Sequence, residues 1–79
     1  MNFAIIGPMS KKTLTISWLE AVTENGSYII QPGHIPMILT LKDNSNVTYC
    51  LNSGKIETVE VLNSFIEITR NSVTLLTGS

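Results

Sequence analysis

The chain has 79 residues, of which 43% are hydrophobic and 14% are charged, and its formal net charge is −1. This length corresponds to one domain, and the hydrophobic content is that of a globular chain. The five basic residues are scattered, no apolar run is long enough to span a bilayer, and the N-terminus lacks a signal-peptide pattern. These features argue against nucleic-acid binding, membrane insertion and secretion, so we expect a soluble, cytosolic chain unless a partner carries it to a membrane.

Short apolar, β-branched runs recur along the chain between turn residues, and no window has an apolar stripe at helical spacing. Gly7-Pro8, Asn25-Gly26, Pro32-Gly33 and Asn52-Ser53-Gly54 supply turns. In chain order the predicted strands are Phe3–Ile6, Thr13–Ile16, Trp18–Thr23, Tyr28–Ile30, Met37–Lys42, Val47–Leu51, Lys55–Leu62, Phe65–Thr69 and Val73–Leu76. This spacing predicts an all-β, mainly antiparallel sandwich or barrel.

Two single residues have alternative interpretations. Cys50 lies in the alternating run Val47–Leu51, on the face opposite Tyr49, and we expect it to act as a small buried hydrophobic residue. As the only cysteine it excludes an intrachain disulfide, which favours a reducing compartment. Trp18, the only indole, is expected in the core or as an anchor at an interface.

The sequence contains no convincing active site. His34 is the only histidine, and neither a nucleophile nor enough further metal ligands accompany it. The segment 31–36, Gln-Pro-Gly-His-Ile-Pro, predicts a rigid turn in which the imidazole is structural or contacts a partner. Glu57, Glu60 and Glu67 are expected on a solvated sheet face. We therefore predict no enzyme activity, cofactor or metal, and a binding or structural role.

One segment is distinctive. Gly26–Ile38 reads Gly-Ser-Tyr-Ile-Ile-Gln-Pro-Gly-His-Ile-Pro-Met-Ile. It resembles the pattern Gly-Glu-Leu-Gly-Ile-x-Pro-Gly-His-x-Pro-Leu-Leu in the N-terminal domain of the epsilon subunit of F-type ATP synthases, which is called delta in mitochondria. Val61–Ile68 and Asn71–Leu76 resemble the later patterns Val-Ser-Gly-Gly-Phe-Leu-Glu-Val and Asn-x-Val-Thr-Val-Leu, and Phe3–Pro8 fits the opening strand. The resemblance covers nearly the whole chain in the right order.

This resemblance implies an antiparallel β-sandwich of about ten strands at the foot of the central stalk. It implies a non-catalytic rotor subunit of a proton-translocating ATP synthase, which joins the gamma subunit to the c-ring and supports ATP synthesis. Such a subunit is peripheral, on the cytoplasmic side of the inner membrane or its organelle equivalent, binds no nucleic acid, and is a monomer when isolated. The alternative is a free-standing β-sandwich interaction module.

The resemblance also implies an interface, carried over position by position. It places the segment from Gly26 to His34 at the junction of the c-ring and gamma, with Gly7 and Leu39 at the gamma contact. The implied set is Gly7, Gly26, Ser27, Tyr28, Pro32, Gly33, His34, Ile35, Pro36, Met37 and Leu39.

Three positions depart from the family pattern. Ser27 replaces an acidic residue, which predicts a weaker or differently charged ring contact. Ile29 replaces a glycine, so the backbone there cannot rely on positive φ. Asn63 also replaces a glycine, but asparagine tolerates the left-handed conformation, so the turn is expected to survive. Many family members continue into two C-terminal helices after the position of Leu76. If the chain is complete, their absence predicts that it neither binds ATP nor inhibits hydrolysis.

Overall fold

A computed structural model describes residues 1–78. Within this range the chain forms only strands and irregular connections. The eight strands are β1 (Asn2–Ile6), β2 (Lys11–Thr23), β3 (Gly26–Ile30), β4 (Met37–Thr40), β5 (Ser45–Leu51), β6 (Ile56–Val61), β7 (Phe65–Ile68) and β8 (Ser72–Leu76). The all-β prediction is confirmed. The strand count is lower than predicted because the second and third predicted strands are one continuous strand.

That long strand, β2, bends where the sequence predicted a break. The register with β5 shifts between Ile16 and Trp18, which marks a bulge at Ser17. The Ser17 hydroxyl donates a hydrogen bond to Asn52 Oδ1 at 3.3 Å. Because a bulge bends its strand, the first half of β2 pairs with β1 and the second half pairs with β3 and β5.

The bend divides the pairing into two sheets that share β2. The first sheet has the order β4-β7-β8-β1-β2, and the second has the order β3-β2-β5-β6. Every pairing is antiparallel except that of β1 with β8, which is parallel. The mainly antiparallel sandwich is therefore confirmed, and the first and last strands lie side by side in the middle of the first sheet.

The inward faces of both sheets form one core. The Phe3 ring of the first sheet meets the Tyr49 ring of the second edge-on, with centroids 5.0 Å apart. Each fully buried aliphatic side chain stabilises the fold by about 1.5–3 kcal/mol. The core comprises Phe3, Ile16, Leu19, Ala21, Ile30, Leu39, Leu41, Val47, Tyr49, Val61, Ile66, Ile68, Val73 and Leu75.

Cys50 and Trp18 lie outside this core. Cys50 is buried, as predicted, but on the outer side of the second sheet. Its register partners there are Trp18 on β2 and Ile56 on β6. Trp18 is half-buried, so it is not a core residue. It covers the outer surface of the sheet beside Cys50.

The conformations of the turns at Asn63 and Gly54 are explained by the residues in them. Asn63 has φ +51°, and its backbone N–H donates to Asp43 Oδ1 at 2.8 Å, so the predicted left-handed turn is confirmed. At the β5–β6 hairpin Gly54 has φ +95°, and its N–H donates to the Leu51 carbonyl at 2.8 Å. This is the glycine-bulge hairpin that a three-residue loop favours.

Candidate functional site

The strand edges of the sandwich form two flanks. We call the first the β3–β4 flank: it consists of β3 from the second sheet, β4 from the first, and loop 31–36, which joins them. The Lys42 N–H donates to the Val22 carbonyl at 2.9 Å and ties the two sheets together beside this flank. We call the second the β2–β6 flank: it consists of β6 and the first half of β2, with a groove between them.

Loop 31–36 makes hydrogen bonds within itself and to the turn between β7 and β8. The Gly33 N–H donates to the Arg70 carbonyl at 2.7 Å, and the His34 N–H donates to the Gln31 carbonyl at 3.1 Å. His34 Nδ1 donates to the carbonyl of Ile35 at 2.8 Å. Gly33 has φ +87°, which side chains of L residues rarely adopt. The turn predicted from the sequence is present, and the imidazole contributes a hydrogen bond to it.

The β3–β4 flank exposes apolar side chains and carries no charged residue of its own, while Glu24 lines the groove beside it and Glu67 lies opposite Ile38. Ile29, Ile35 and Ile38 expose 61%, 77% and 65% of their surface, respectively. From Asn25 to Leu41 the sequence contains no Asp, Glu, Lys or Arg. Depletion of charge, together with exposed apolar side chains, distinguishes the centre of a protein interface from ordinary surface.

A shallow groove of about 240 Å³ runs between the β2–β3 hairpin and β4. The buried Thr23 hydroxyl fixes the hairpin, since it donates to the Gly26 carbonyl at 3.0 Å and accepts from the Asn25 N–H at 3.1 Å. The groove is lined by Thr23, Glu24, Asn25, Tyr28, Ile38, Leu39 and Thr40. A convex apolar surface with a few polar atoms at its rim fits this shape.

Most of the predicted interface residues lie on this flank, but they do not form one cluster. Gly26 and Ser27 begin β3 and the loop follows its end, so roughly 13 Å of strand separates them. Tyr28 and Met37 are half-buried, while Pro32, Gly33, Ile35 and Pro36 are exposed.

Two predicted residues lie elsewhere. The Leu39 side chain points into the core and is 9% exposed, so it offers almost no surface to a partner. Its neighbours Ile38 and Thr40 point outward instead. Gly7 lies in the β1–β2 turn and lines the groove of the β2–β6 flank. Neither residue is brought to the β3–β4 flank as a surface contact.

The sequence reasoning missed Ile29 as an exposed apolar residue and missed Ile38 altogether. The signal was available in two forms. The stretch from Asn25 to Leu41 is uncharged, and β4 alternates so that Ile38 and Leu39 must face opposite ways. Phe65, which pairs with Thr40 at the edge of the same sheet, is a further exposed side chain at 43%.

The carboxylates differ in their surroundings. Glu60 and Glu67 are exposed, as predicted. Glu57 is not on the solvated face: it is half-buried, accepts a hydrogen bond from the Tyr49 hydroxyl at 3.2 Å, and lies 3.5 Å from Lys55 Nζ. Burial, and then the neighbouring Glu57, raise the pKa of Tyr49.

The chemistry of the described residues is limited. Residues 1–78 contain no group of three or more His, Cys, Asp or Glu side chains that could hold a metal ion. In the same range there is no helix of the length and apolarity needed to cross a membrane.

Comparison with known proteins gives one family and many similar folds. Residues 7–79 match the family described as the β-sandwich domain of the ATP synthase delta/epsilon chain. A search of curated proteins found no match.

Two solved structures show the same fold. One is a chain in the mitochondrial ATP synthase of Euglena gracilis, from a structure of its OSCP, F1 and c-ring in one rotational state. It has a TM-score of 0.89 and 14% identity, over 98% of this chain and 49% of that one. The other is a chain from the central stalk and c-ring of the Tetrahymena thermophila mitochondrial ATP synthase, with a TM-score of 0.80 and 13% identity, over 100% of this chain and 63% of that one. The chain thus spans about half to two-thirds of the length of these relatives.

Proposed function

Because this chain belongs to the family of ATP synthase delta/epsilon-chain β-sandwich domains, we propose that it is a non-catalytic rotor subunit of a proton-translocating F-type ATP synthase. In this role it joins the gamma subunit to the c-ring at the foot of the central stalk and supports ATP synthesis. It is peripheral to the membrane, on the side where the stalk stands, through its partners. The single observation that carries the proposal is the family match over residues 7–79.

The β3–β4 flank supports the proposal as the surface that meets the rotor. It combines exposed Ile35 and Ile38 with an uncharged stretch of sequence and a loop held by hydrogen bonds within it and to Arg70. The third exposed isoleucine, Ile29, lies on the outer face of the other sheet. A preorganised loop loses little conformational entropy on binding, which favours a permanent contact. We assign the loop and β4 to the gamma contact. The β2–β3 hairpin, with Gly26 and Ser27, is assigned to the junction with the c-ring.

The construction of the sandwich suits the transmission of torque. The β2 strand runs through both sheets, and the parallel pairing of β1 with β8 ties the first strand to the last. A close-packed core of this kind has low compressibility and transmits strain. Torque applied at the loop therefore reaches the opposite sheet without rearrangement of the domain.

Co-expression with the gamma subunit of the same organism tests the proposal. We expect a stoichiometric complex on affinity purification, and we expect Ile35→Asp to lose it while the variant keeps the wild-type circular dichroism spectrum and melting temperature. The matched control is Ile56→Asp, because Ile56 is 59% exposed on the opposite flank. The complex should survive in that variant. Failure of the wild-type chain to retain gamma would favour the free-standing interaction module.

A further inference from the structure

The outer face of the first sheet carries an apolar row. Register partners in a sheet share one face, and the partners across β4, β7, β8 and β1 are, in turn, Thr40, Phe65, Leu76 and Ile6. Phe65 is 43% exposed, while Leu76 and Ile6 are half-buried. Because Gly7 follows Ile6 directly, this row leads from the β3–β4 flank to a predicted contact residue that the flank itself does not reach.

One charged side chain lies in the adjacent row of the same face. Glu67 on β7 is exposed and has Ile38 and Thr74 as its register partners. Arg70 is the nearest basic residue along the chain, but it forms no ion pair with Glu67, since the one ion pair among residues 1–78 lies at the start of β6. Glu67 therefore lies beside exposed apolar surface without a cation from its own chain.

We propose that the contact with gamma extends from β4 across the outer face of the first sheet, and that gamma places a lysine or arginine against Glu67. This contact rests on the rotor function proposed above and adds a chemical requirement to it. The gamma surface must be apolar where it meets the row, and it must carry one cation beside that apolar part.

The position of β4 connects this face to the β3–β4 flank. β4 belongs to the flank and is also the edge strand of the first sheet, so its outward side chains, Ile38 and Thr40, are part of both surfaces. From β4 to β1 the face spans about 14 Å, at roughly 4.8 Å per strand. A single partner that covers β4 and reaches Gly7 must therefore lie across the apolar row.

The outer face of the second sheet offers no such row. It reaches the flank through Ile29 on β3, but the register partners that follow are Glu20, Thr48 and Thr58. This row is polar immediately beyond Ile29, whereas the row of the first sheet stays apolar from Phe65 onward. Because charge is depleted at the centre of protein interfaces, the first sheet is the better continuation of the gamma contact.

The requirement for a cation follows from the position of Glu67. Its register partner is Ile38, and it is two residues from Phe65 on the same side of β7, so a surface that covers both apolar side chains also covers the carboxylate. A covered carboxylate is costly unless a cation pairs with it. A lysine or arginine of gamma opposite Glu67 removes this cost and rejects partners that lack the charge.

The test measures the affinity of the purified 79-residue chain for the gamma subunit of the same organism. Glu67→Lys should weaken binding about tenfold or more, because it places like charges together in a covered contact, and Glu67→Gln should weaken binding less. Glu60→Lys is the matched control, since it makes the same charge change at an exposed position on the second sheet, and its binding should be unchanged. All three variants should keep the wild-type melting temperature, because both side chains are exposed.

Two further measurements test the apolar row and the cation separately. Phe65→Ala should weaken gamma binding, whereas Ile56→Ala should not, because Phe65 is 43% exposed on the first sheet and Ile56 is 59% exposed on the second. A scan that changes each lysine and arginine of gamma to glutamate should contain one variant that binds Glu67→Lys more tightly than it binds the wild-type chain.

The outcomes distinguish this contact from the rotor function. Equal binding of Glu67→Lys and the wild-type chain overturns the contact while the rotor function stands, and so does a gamma scan without a compensating variant. Failure of the wild-type chain to bind gamma overturns the rotor function and the contact together. If the free chain proves to be a dimer that Glu67→Lys dissociates, a second copy covers the face and the gamma contact there is wrong.

Discussion

The β3–β4 flank and the β2–β6 flank are both formed by strand edges, but β3, β4 and loop 31–36 carry no charged side chain, whereas the edge strands of the second flank do. Glu24 and Glu67 border the first flank. Between Asn25 and Leu41 there is no Asp, Glu, Lys or Arg. The opposite flank carries Lys11, Lys12, Lys55, Glu57 and Glu60 on or beside its edge strands. The two sheets are tied together beside the first flank by a backbone hydrogen bond, and its groove is about 240 Å³, whereas the groove of the second flank is about 620 Å³.

This difference indicates two ways of managing an edge. Charges on edge strands discourage unwanted pairing, and the β2–β6 flank uses them. The β3–β4 flank lacks that protection, and its exposed isoleucines would be a liability on a chain that stayed alone. A permanent partner on the uncharged flank removes the liability, and this is the physical reason for assigning the rotor contact there.

The largest expected effect is a difference in unfolding free energy between substitutions on the inward and outward faces of β4. Leu39→Ala deletes a core side chain and should lower the free energy of unfolding by about 2–5 kcal/mol. Ile38→Ala alters an exposed side chain and should change it by less than about 0.5 kcal/mol. Urea unfolding of both variants measures this. Equal losses would mean that the inward and outward assignments on this flank are wrong.

Trp18 tests the surface between the two flanks. Because the indole is half-buried on the outer face of the second sheet, Trp18→Ala should cost about 2 kcal/mol, less than the roughly 3–5 kcal/mol of a core aromatic. The Trp18→Ala variant should bind gamma as the wild-type chain does. A thermal melt gives the first quantity and affinity purification the second. Lost gamma binding in a folded variant would move the partner surface onto that sheet face.

Gly33 tests the preorganisation of the loop on the uncharged flank. Its φ of +87° makes Gly33→Ala strained, with an expected loss of about 1 kcal/mol. Gly33→Asn is the matched variant, because asparagine adopts positive φ more readily, and it should lose less. Thermal melts compare the two. A melting temperature unchanged in both variants would show that the loop does not need the left-handed conformation.

The smallest effect concerns Tyr49 beside the open groove. The pKa of Tyr49 is raised above 10.0, first by burial and then by Glu57. A raised pKa stabilises the fold at pH values below 10, and the contribution is lost as the pH rises through the folded-state value. Urea unfolding between pH 8 and 11 should show a decline that is shallower in Tyr49→Phe; parallel curves would contradict the assignment.

Much of the fold was predictable because the local signals agree. Turn residues and β-branched runs fixed the strand positions, and Asn63 could be expected to turn left-handed because asparagine tolerates that conformation. The continuity of β2 could not be predicted, since a bulge at Ser17 and a true turn both interrupt the alternation of side chains. The parallel pairing of β1 with β8 depends on contacts between the two ends of the chain, and no local pattern encodes it.

The candidate site was predictable only in part. The resemblance located the segment from Gly26 to Met37, whereas strand alternation decides that Leu39 faces the core and Ile38 faces outward. The position of Gly7 on the other flank depends on the order of strands in the first sheet. The half-burial of Glu57 depends on the packing of the second sheet against the first, which a strand pattern alone does not reveal.

The assignment of the rotor contact to the uncharged flank is tested most directly by photo-crosslinking in cells that express the assembled enzyme. A photoreactive phenylalanine analogue replaces Ile38 in one strain and Thr58 in another, since both side chains are exposed, each on a different flank. We predict a crosslink to the gamma subunit from position 38 and none from position 58. A crosslink to gamma from position 58 alone, or from neither position in an assembled enzyme, would contradict the assignment.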